Sequence, residues 1–256
     1  MQKLKSFGQH FLRSEHIAQR IVAQLIIDEQ SGNTVVEVGP GEGVLTRYLL
    51  ERSDIARFFA VELDRRLPEV LTNRYPALAG NIIEEDVLDT KFEQYAGERF
   101  SLIGNFPYNI STQILFKVLD YRAHIPQMVG MFQREVAQRI AAPPGSKVYG
   151  VTSVLIQAYY KVKYCFTVEA GSFDPPPKVQ SGVIRLVRST EHDADIKNFA
   201  QFRSVVKNAF GQRRKMLRNA LQTLPIDDTQ LPASLWTRRA EELSVSEFIA
   251  IANAWN

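Results

Sequence analysis

The sequence predicts an α/β fold with a largely parallel sheet, followed by a small all-helical domain. Three observations carry that prediction. In the first half of the 256-residue chain, short apolar runs alternate with amphipathic stretches at regular intervals. A glycine-rich turn, Glu37-Val38-Gly39-Pro40-Gly41-Glu42-Gly43, follows the apolar run Thr34-Val35-Val36. After a polar segment at 188–196 the apolar spacing becomes helical and stays so to the end.

Strands are expected at 34–38, 57–61, 81–84, 100–103 and 126–131, each a short apolar run. Helices are expected at 14–28, 43–52, 65–74, 111–121 and 132–142. Ser14 followed by Glu15 suits the start of the first, and Pro143-Pro144-Gly145 ends the last. A further helix at 149–158 precedes two β-rich runs, 160–168 and 181–187. These flank a proline-rich turn at 171–177 and can pair as an antiparallel edge on the sheet. Beyond the linker, Phe202, Val205, Val206, Ala209 and Phe210 keep helical spacing. So do Leu217, Ala220 and Leu221, and then Phe248, Ile249, Ile251 and Ala252. The expected division is a large domain over 1–190 and a helical one over 191–256.

Hydrophobic content of 45% and charged content of 23% fit a soluble globular chain. The apolar runs are too short and interrupted to span a bilayer. Met1 to Ser6 lacks the apolar core of a signal peptide, so a cytoplasmic location is expected. The single cysteine, Cys165, excludes an internal disulfide, and the four histidines lack metal-site spacing. A net charge of +3 says little, but its distribution says more. Arg203, Lys207, Arg213, Arg214, Lys215 and Arg218 fall within 201–220 with no acid among them, which suits a polyanion partner.

Glycine brings the backbone close to a ligand because it has no Cβ. Gly39, Gly41 and Gly43 fit that use. A dinucleotide fingerprint needs a glycine at 44, where this chain has valine, and there is no Gly-Lys-Ser/Thr of a P-loop. A cofactor without phosphates is adequate for such a turn. Glu62, at the end of the second strand, is placed to accept both ribose hydroxyls, although a helix-starting acid is equally served by Asp64. Asp86, after the third strand, is placed to accept a hydrogen bond from an adenine amine. Each reading is weak alone; their joint register points to S-adenosylmethionine.

Asn105-Phe106-Pro107-Tyr108 follows the fourth strand. An adenine amine is a poor nucleophile because its lone pair is delocalised into the ring. Accepting hydrogen bonds from both N6 hydrogens favours a pyramidal nitrogen with that lone pair free. Asn105 Oδ1 is one candidate acceptor. The carbonyl of Phe106, held extended by Pro107, is the other. Tyr108 offers a face on which the base can stack. No strong general base is required, and proximity supplies most of the acceleration.

These residues resemble the KsgA-type ribosomal RNA adenine dimethyltransferases over nearly the whole chain. The resemblance rests on Phe7-Gly8-Gln9-His10-Phe11-Leu12, the 37–43 turn, Glu62-Leu63-Asp64, Asp86 and Asn105-Phe106-Pro107-Tyr108-Asn109-Ile110-Ser111. It continues through Gln133 to Arg139, Phe173-Asp174-Pro175-Pro176-Pro177-Lys178-Val179 and Phe210-Gly211-Gln212-Arg213-Arg214-Lys215. It implies a Rossmann-like, seven-stranded S-adenosylmethionine-dependent methyltransferase sheet with a helical C-terminal domain that contributes to RNA binding. It implies dimethylation of two adjacent adenines near the 3′ end of 16S rRNA in the small ribosomal subunit. On the matching positions, His10 and Leu12 close over the methionine part of the cofactor, with Gly39 and Gly41 beneath. Glu62 holds the ribose, Asp86 the adenine, and Asn105 touches both cofactor and target. Phe173 opposes Tyr108 across the flipped base, with anchoring of the proline-rich turn as its other reading.

This chain departs from the family pattern at two positions: Phe106 stands where leucine is usual, and His10 where asparagine is more frequent. Arg134 and Arg139, taken as one face of the helix after the fifth strand, are candidates for RNA contact, with Arg213, Arg214, Lys215 and Arg218 in the small domain. A monomer is expected. The alternatives are an Erm-type 23S rRNA adenine methyltransferase and a non-catalytic assembly or transcription factor of the same fold.

Overall fold

A computed structural model describes residues 10–28, 32–227, 229 and 231–256. Phe7, Gly8 and Gln9 of the first motif lie outside the described residues. The elements run β1 (Phe11–Leu12), α1 (Glu15–Val22), β2 (Thr34–Val38), α2 (Val44–Leu50), β3 (Arg57–Val61), α3 (Leu67–Arg74), β4 (Ile82–Ile83), β5 (Ser101–Asn105) and α4 (Ser111–Asp120). They continue with β6 (Gln127–Gln133), α5 (Arg134–Ile140), α6 (Val151–Gln157), β7 (Tyr160–Val168), β8 (Phe173–Asp174), β9 (Ser181–Arg188), α7 (Phe199–Gly211), α8 (Leu217–Ala220) and α9 (Val245–Asn253).

The main sheet has seven strands in the order β4-β3-β2-β5-β6-β9-β7. β3 and β5 flank β2 in parallel, as do β4 beside β3 and β6 beside β5. β9 joins β6 antiparallel, pairing Gln127 with Val187 through to Gln133 with Ser181. The two β-rich runs are therefore neighbours, with β9 inside and β7 at the edge. Every residue of β2 is buried, as expected of a central strand covered on both faces. A second, two-stranded pair joins β1 to β8, Phe11 opposite Asp174 and Leu12 opposite Phe173. Both of its strands are too short to register as a pattern.

The strands at 34–38 and 57–61 appear residue for residue as β2 and β3. The first helix does not extend to 28. Ser14 caps it by accepting the Ile17 N–H, but it ends at Val22 because distant side chains take its last polar groups. Arg52 donates to the carbonyls of Val22 and Leu25. The buried Gln127 side chain accepts the Ile26 N–H at 3.1 Å, donates to the Ile26 carbonyl, and also donates to the Ser101 hydroxyl. A helix cannot continue where its backbone is bound to a neighbouring strand.

Contacts divide the chain into two compact units: Met1–Ala137 with Lys163–Arg188, and Gln138–Val162 with Ser189–Asn256. The second unit therefore takes in 138–162, which the expected boundary at 190 assigned to the first. The reason is aromatic packing. The buried Tyr149 ring lies 5.9 Å from Phe210, which in turn lies 5.7 Å from Phe248. α7 buries Phe202, Val205, Val206 and Ala209, and α9 buries Phe248, Ile249, Ile251 and Ala252. Asn198 and Ser244 cap these two helices through their side chains.

Gln127→Ala strands the polar groups of Ile26 and should lower unfolding free energy by about 1–3 kcal/mol. The check is a denaturant midpoint that falls while the slope stays unchanged.

Candidate active site

The strand order reverses beside β2, and ligands in open α/β sheets bind at the carboxyl ends of strands next to such a reversal. A cavity of about 230 Å³ lies there. It is walled by the glycine turn after β2, Glu62 to Asp64 after β3, Glu85 to Val87 after β4, Asn105 to Ile110 after β5, and His10 to Leu12. The four segments after β2, β3, β4 and β5 thus meet because each follows a parallel strand that points the same way, and the β1 segment joins them from outside the main sheet.

The turn is held open by backbone geometry. Gly39, Gly41 and Gly43 have φ of 65°, 58° and 82°, which side chains with a Cβ rarely adopt. A Cβ at Gly39 would find nothing within 4 Å. Glu62 fastens the turn to the end of β3: one of its oxygens accepts the Gly41 N–H at 3.2 Å and the other the Asp64 N–H at 2.9 Å. Burial raises the pKa of Glu62 above the usual carboxylate range, against the pull of those peptide donors. Asp64 is ion-paired with Arg66. Asp86 uses Oδ1 to accept the Leu88 N–H at 2.9 Å, an Asx turn that fixes the carboxylate at the cavity wall.

Asn105 is the last residue of β5, and its Nδ2 donates to the carbonyl of His10 at 3.0 Å. That bond directs Oδ1 to the acceptor role. Phe106 N–H continues the sheet by donating to Met131 O at 3.3 Å. The Phe106 ring is 1% exposed and lies 5.1 Å from Phe132. It occupies a slot made by two glycines paired across β5 and β6, Gly104 and Gly130. A Cβ at Gly104 would stand 2.8 Å from the ring, and one at Gly130 would collide with it and with Phe132. This is how the chain carries phenylalanine where leucine is usual. The added bulk goes into the sheet, and the backbone remains at the cavity.

The hydroxyls of Tyr108 and Ser181 share a hydrogen bond at 2.6 Å, so β9 sets the pitch of the tyrosine ring. Burial raises the pKa of the Tyr108 phenol above its ordinary value. The His10 ring lies 5.5 Å from the Tyr108 ring at 32°, and its Nδ1 is 2.8 Å from the carbonyl of Pro175.

Other expected site residues are not brought to the cavity. Phe173 is 4% exposed, pairs with Leu12 between β1 and β8, belongs to the same buried cluster, and is not among the residues that line the cavity. Arg213 is tied down, its Nε 2.6 Å from Glu241 and its other end on the carbonyl of Lys147. Arg134 and Arg139 are both exposed on α5, but five residues at 3.6 per turn separate them by roughly 140°, so they do not share one face. Arg134 also bonds Gln180. Arg214, Lys215 and Arg218 are exposed and form no ion pair among the described residues. Two residues of the site have no signal of their own in the sequence. One is Ser181; the other is Glu37, 1% exposed on the cavity wall with its Oε2 2.6 Å from the Thr46 hydroxyl. Among the described residues, no group of three or more His, Cys, Asp or Glu is arranged to hold a metal ion.

A profile of the family described as ribosomal RNA adenine dimethylase matches residues 1–256. The chain belongs to that family. As an rRNA adenine dimethylase it is an S-adenosylmethionine-dependent methyltransferase. It is 47% identical to ribosomal RNA small subunit methyltransferase A of Cytophaga hutchinsonii, over 99% of this chain and 98% of that one. It is 46% identical to the protein of the same name from Flavobacterium johnsoniae, over 98% and 96%. Among solved structures, a dimethyladenosine transferase from Plasmodium falciparum matches with a TM-score of 0.79 at 23% identity, covering 94% of this dimethylase and 96% of that chain. The 23S rRNA methyltransferase ErmE matches at 0.71 and 22%, covering 96% and 99%. These two share the fold.

Gly130→Ala should displace the Phe106 ring, destabilise the protein by about 1–3 kcal/mol and lower methyl transfer. Adding Phe106→Leu should recover part of both losses. A double-mutant cycle on unfolding free energy checks the coupling, and strict additivity would show that the slot is not shared.

Proposed function

We propose that the protein transfers methyl groups from S-adenosylmethionine to N6 of two adjacent adenines near the 3′ end of 16S rRNA, giving N6,N6-dimethyladenosines during small-subunit biogenesis. The observation that carries the substrate is the near-identity in length and the 46–47% identity to small subunit methyltransferase A relatives. An Erm-type activity on 23S rRNA has only a fold-level likeness behind it.

The residues at hand fit the cofactor. The open wall at Gly39 admits a ligand against the backbone, and the cavity offers carboxylates to a molecule bearing a sulfonium, an ammonium and two ribose hydroxyls. Glu62 accepts from the ribose hydroxyls and Asp86 from the adenine amine. Gly39 and Gly41 lie beneath, and His10, Leu12 and Asn105 enclose the methionine end. When bound, S-adenosylmethionine supplies an electrophilic methyl group.

The chain's own residues prepare the nucleophile. Asn105 Oδ1 and the Phe106 carbonyl, which has no hydrogen-bond partner among the described residues, accept the two N6 hydrogens. The lone pair is thereby turned out of the ring. Tyr108 presents its ring to the base and keeps its proton at neutral pH, so it stacks and does not act as a base. With Phe173 in the core, the aromatic neighbour of Tyr108 is His10. Arg214, Lys215 and Arg218 contact RNA phosphates, with Arg134 and Arg139 as further contacts. Arg213, tied to Glu241 and the Lys147 carbonyl, braces the turn that carries Arg214 and Lys215. The protein acts as a cytoplasmic monomer; no helix among the described residues is long and apolar enough to cross a membrane.

Labelled methyl transfer to undermethylated small subunits, with large subunits alongside and product location by mass spectrometry, tests the assignment. Dimethyladenosine at the paired adenines is expected; label on large subunits alone would overturn it. Asn105→Ala should lower the rate by about a hundredfold or more with the fold intact. Charge reversal at Arg214, Lys215 and Arg218 should weaken subunit binding and reduce its salt slope by about one per lost phosphate contact. An unchanged slope would remove them from the RNA interface.

A further inference from the structure

Six carboxyl groups and no lysine or arginine line the cavity among the described residues. Most have an evident means of carrying charge. Glu62 accepts the peptide N–H groups of Gly41 and Asp64, and Asp64 is paired with Arg66. Glu42, Glu85 and Asp86 keep contact with solvent. Glu37 differs from these. It sits at the penultimate position of β2, is almost wholly buried, and is held by Thr46 of α2 through a hydroxyl at 2.6 Å and a backbone N–H. Among the described residues no cation faces it. Ala60 of β3 and Ile103 of β5 flank it in the sheet. The charged groups around the same cavity are Glu62 and Asp64 after β3, Glu85 and Asp86 after β4, and Glu42 in the turn, all acidic. His10 and Tyr108 complete the titratable set.

A buried carboxylate without a cation is costly, and protonation removes the cost. Burial pushes the Glu37 carboxyl up to about 8, and the charge of Glu62 adds to the effect while Thr46 opposes it. The empty cavity therefore holds a neutral Glu37 at neutral pH. A cation in the cavity reverses the balance, because an opposite charge nearby favours the ionised form.

We infer that Glu37 is a proton-coupled anchor for the cationic cofactor, releasing its proton to solvent as the cofactor enters and recovering one as the cavity empties. This rests on S-adenosylmethionine as the ligand. The O–H bond of the carboxyl breaks, the proton passes to buffer, and the carboxylate remains facing the cation. Affinity then depends on pH with a definite sign. Below about 8 the proton must be displaced, so affinity falls about tenfold for each unit of acidification, and above 8 it levels off. The same group acts on folding. The folded chain holds the proton over a range where the unfolded chain has lost it. The empty protein should therefore lose stability as pH rises from about 4.5 to about 8.

The test is calorimetric titration of the full-length protein with S-adenosylmethionine in buffers of different ionisation enthalpy, from pH 6 to 9. The expected result is release of close to one proton at pH 7, with affinity rising towards a plateau. Glu37→Gln should abolish both the release and the pH dependence, and should flatten the decline in melting temperature of the empty protein. Binding without proton release, or the same release from Glu37→Gln, overturns the inference and leaves the cofactor assignment standing. Wild-type protein that takes up no S-adenosylmethionine at any pH overturns both. Should Glu37→Gln not fold, Thr46→Val removes a bond that favours the charged form. Its affinity plateau should move to higher pH, and an unmoved plateau overturns the inference.

Discussion

The site depends on the reversal of strand order beside β2. The chain moves outward from β2 through β3 to β4, then returns to β5 on the other side and continues to β6. All five strands are parallel, so their carboxyl ends share one edge of the sheet. The connections after β2 and β5 leave in opposite directions, and the crevice between them is the cavity. Residues some seventy positions apart in the chain meet because of this single topological fact. Glu62 then converts the crevice into a defined wall, since its two oxygens hold the peptide of Gly41 and the peptide of Asp64 at once.

The chemistry needs little more than placement. Asn105 is the end of a strand, and its amide is oriented by a carbonyl of the segment that pairs with β8. Tyr108 is held by a serine on the antiparallel strand β9. The tetrapeptide is thus fixed from below by sheet hydrogen bonds and from the side by one hydroxyl. Such rigid support suits a reaction whose acceleration comes from alignment and hydrogen bonding.

Much of this was legible in the sequence, because some signals are local. β2 and β3 announce themselves by apolar runs, the glycine turn by three glycines at alternate positions, and Glu62, Asp86 and Asn105 by following strands. What was not legible depends on partners far along the chain. The end of α1 is set by Arg52 and Gln127. Phe173 reads equally as a stacking residue or an anchor, and its burial in one cluster with Leu12 is visible only in the fold. Arg213 belongs to a uniformly basic run, and its pairing with Glu241, twenty-eight residues on, is not visible in that run. Glu37 looks like one more residue of a motif; its burial, with no cation beside it among the described residues, exists only in three dimensions.

The distribution of charge also sorts the two molecules that this protein handles. The chain is slightly basic as a whole, yet among the described residues the cavity wall carries six carboxyl groups and no lysine or arginine, and the exposed basic residues Arg214, Lys215 and Arg218 lie in the other unit. A polyanion is repelled from the cavity and a small cation is drawn into it. An acidic wall of this kind discriminates by charge alone: it favours a small cation over a phosphate group without any bulky gate.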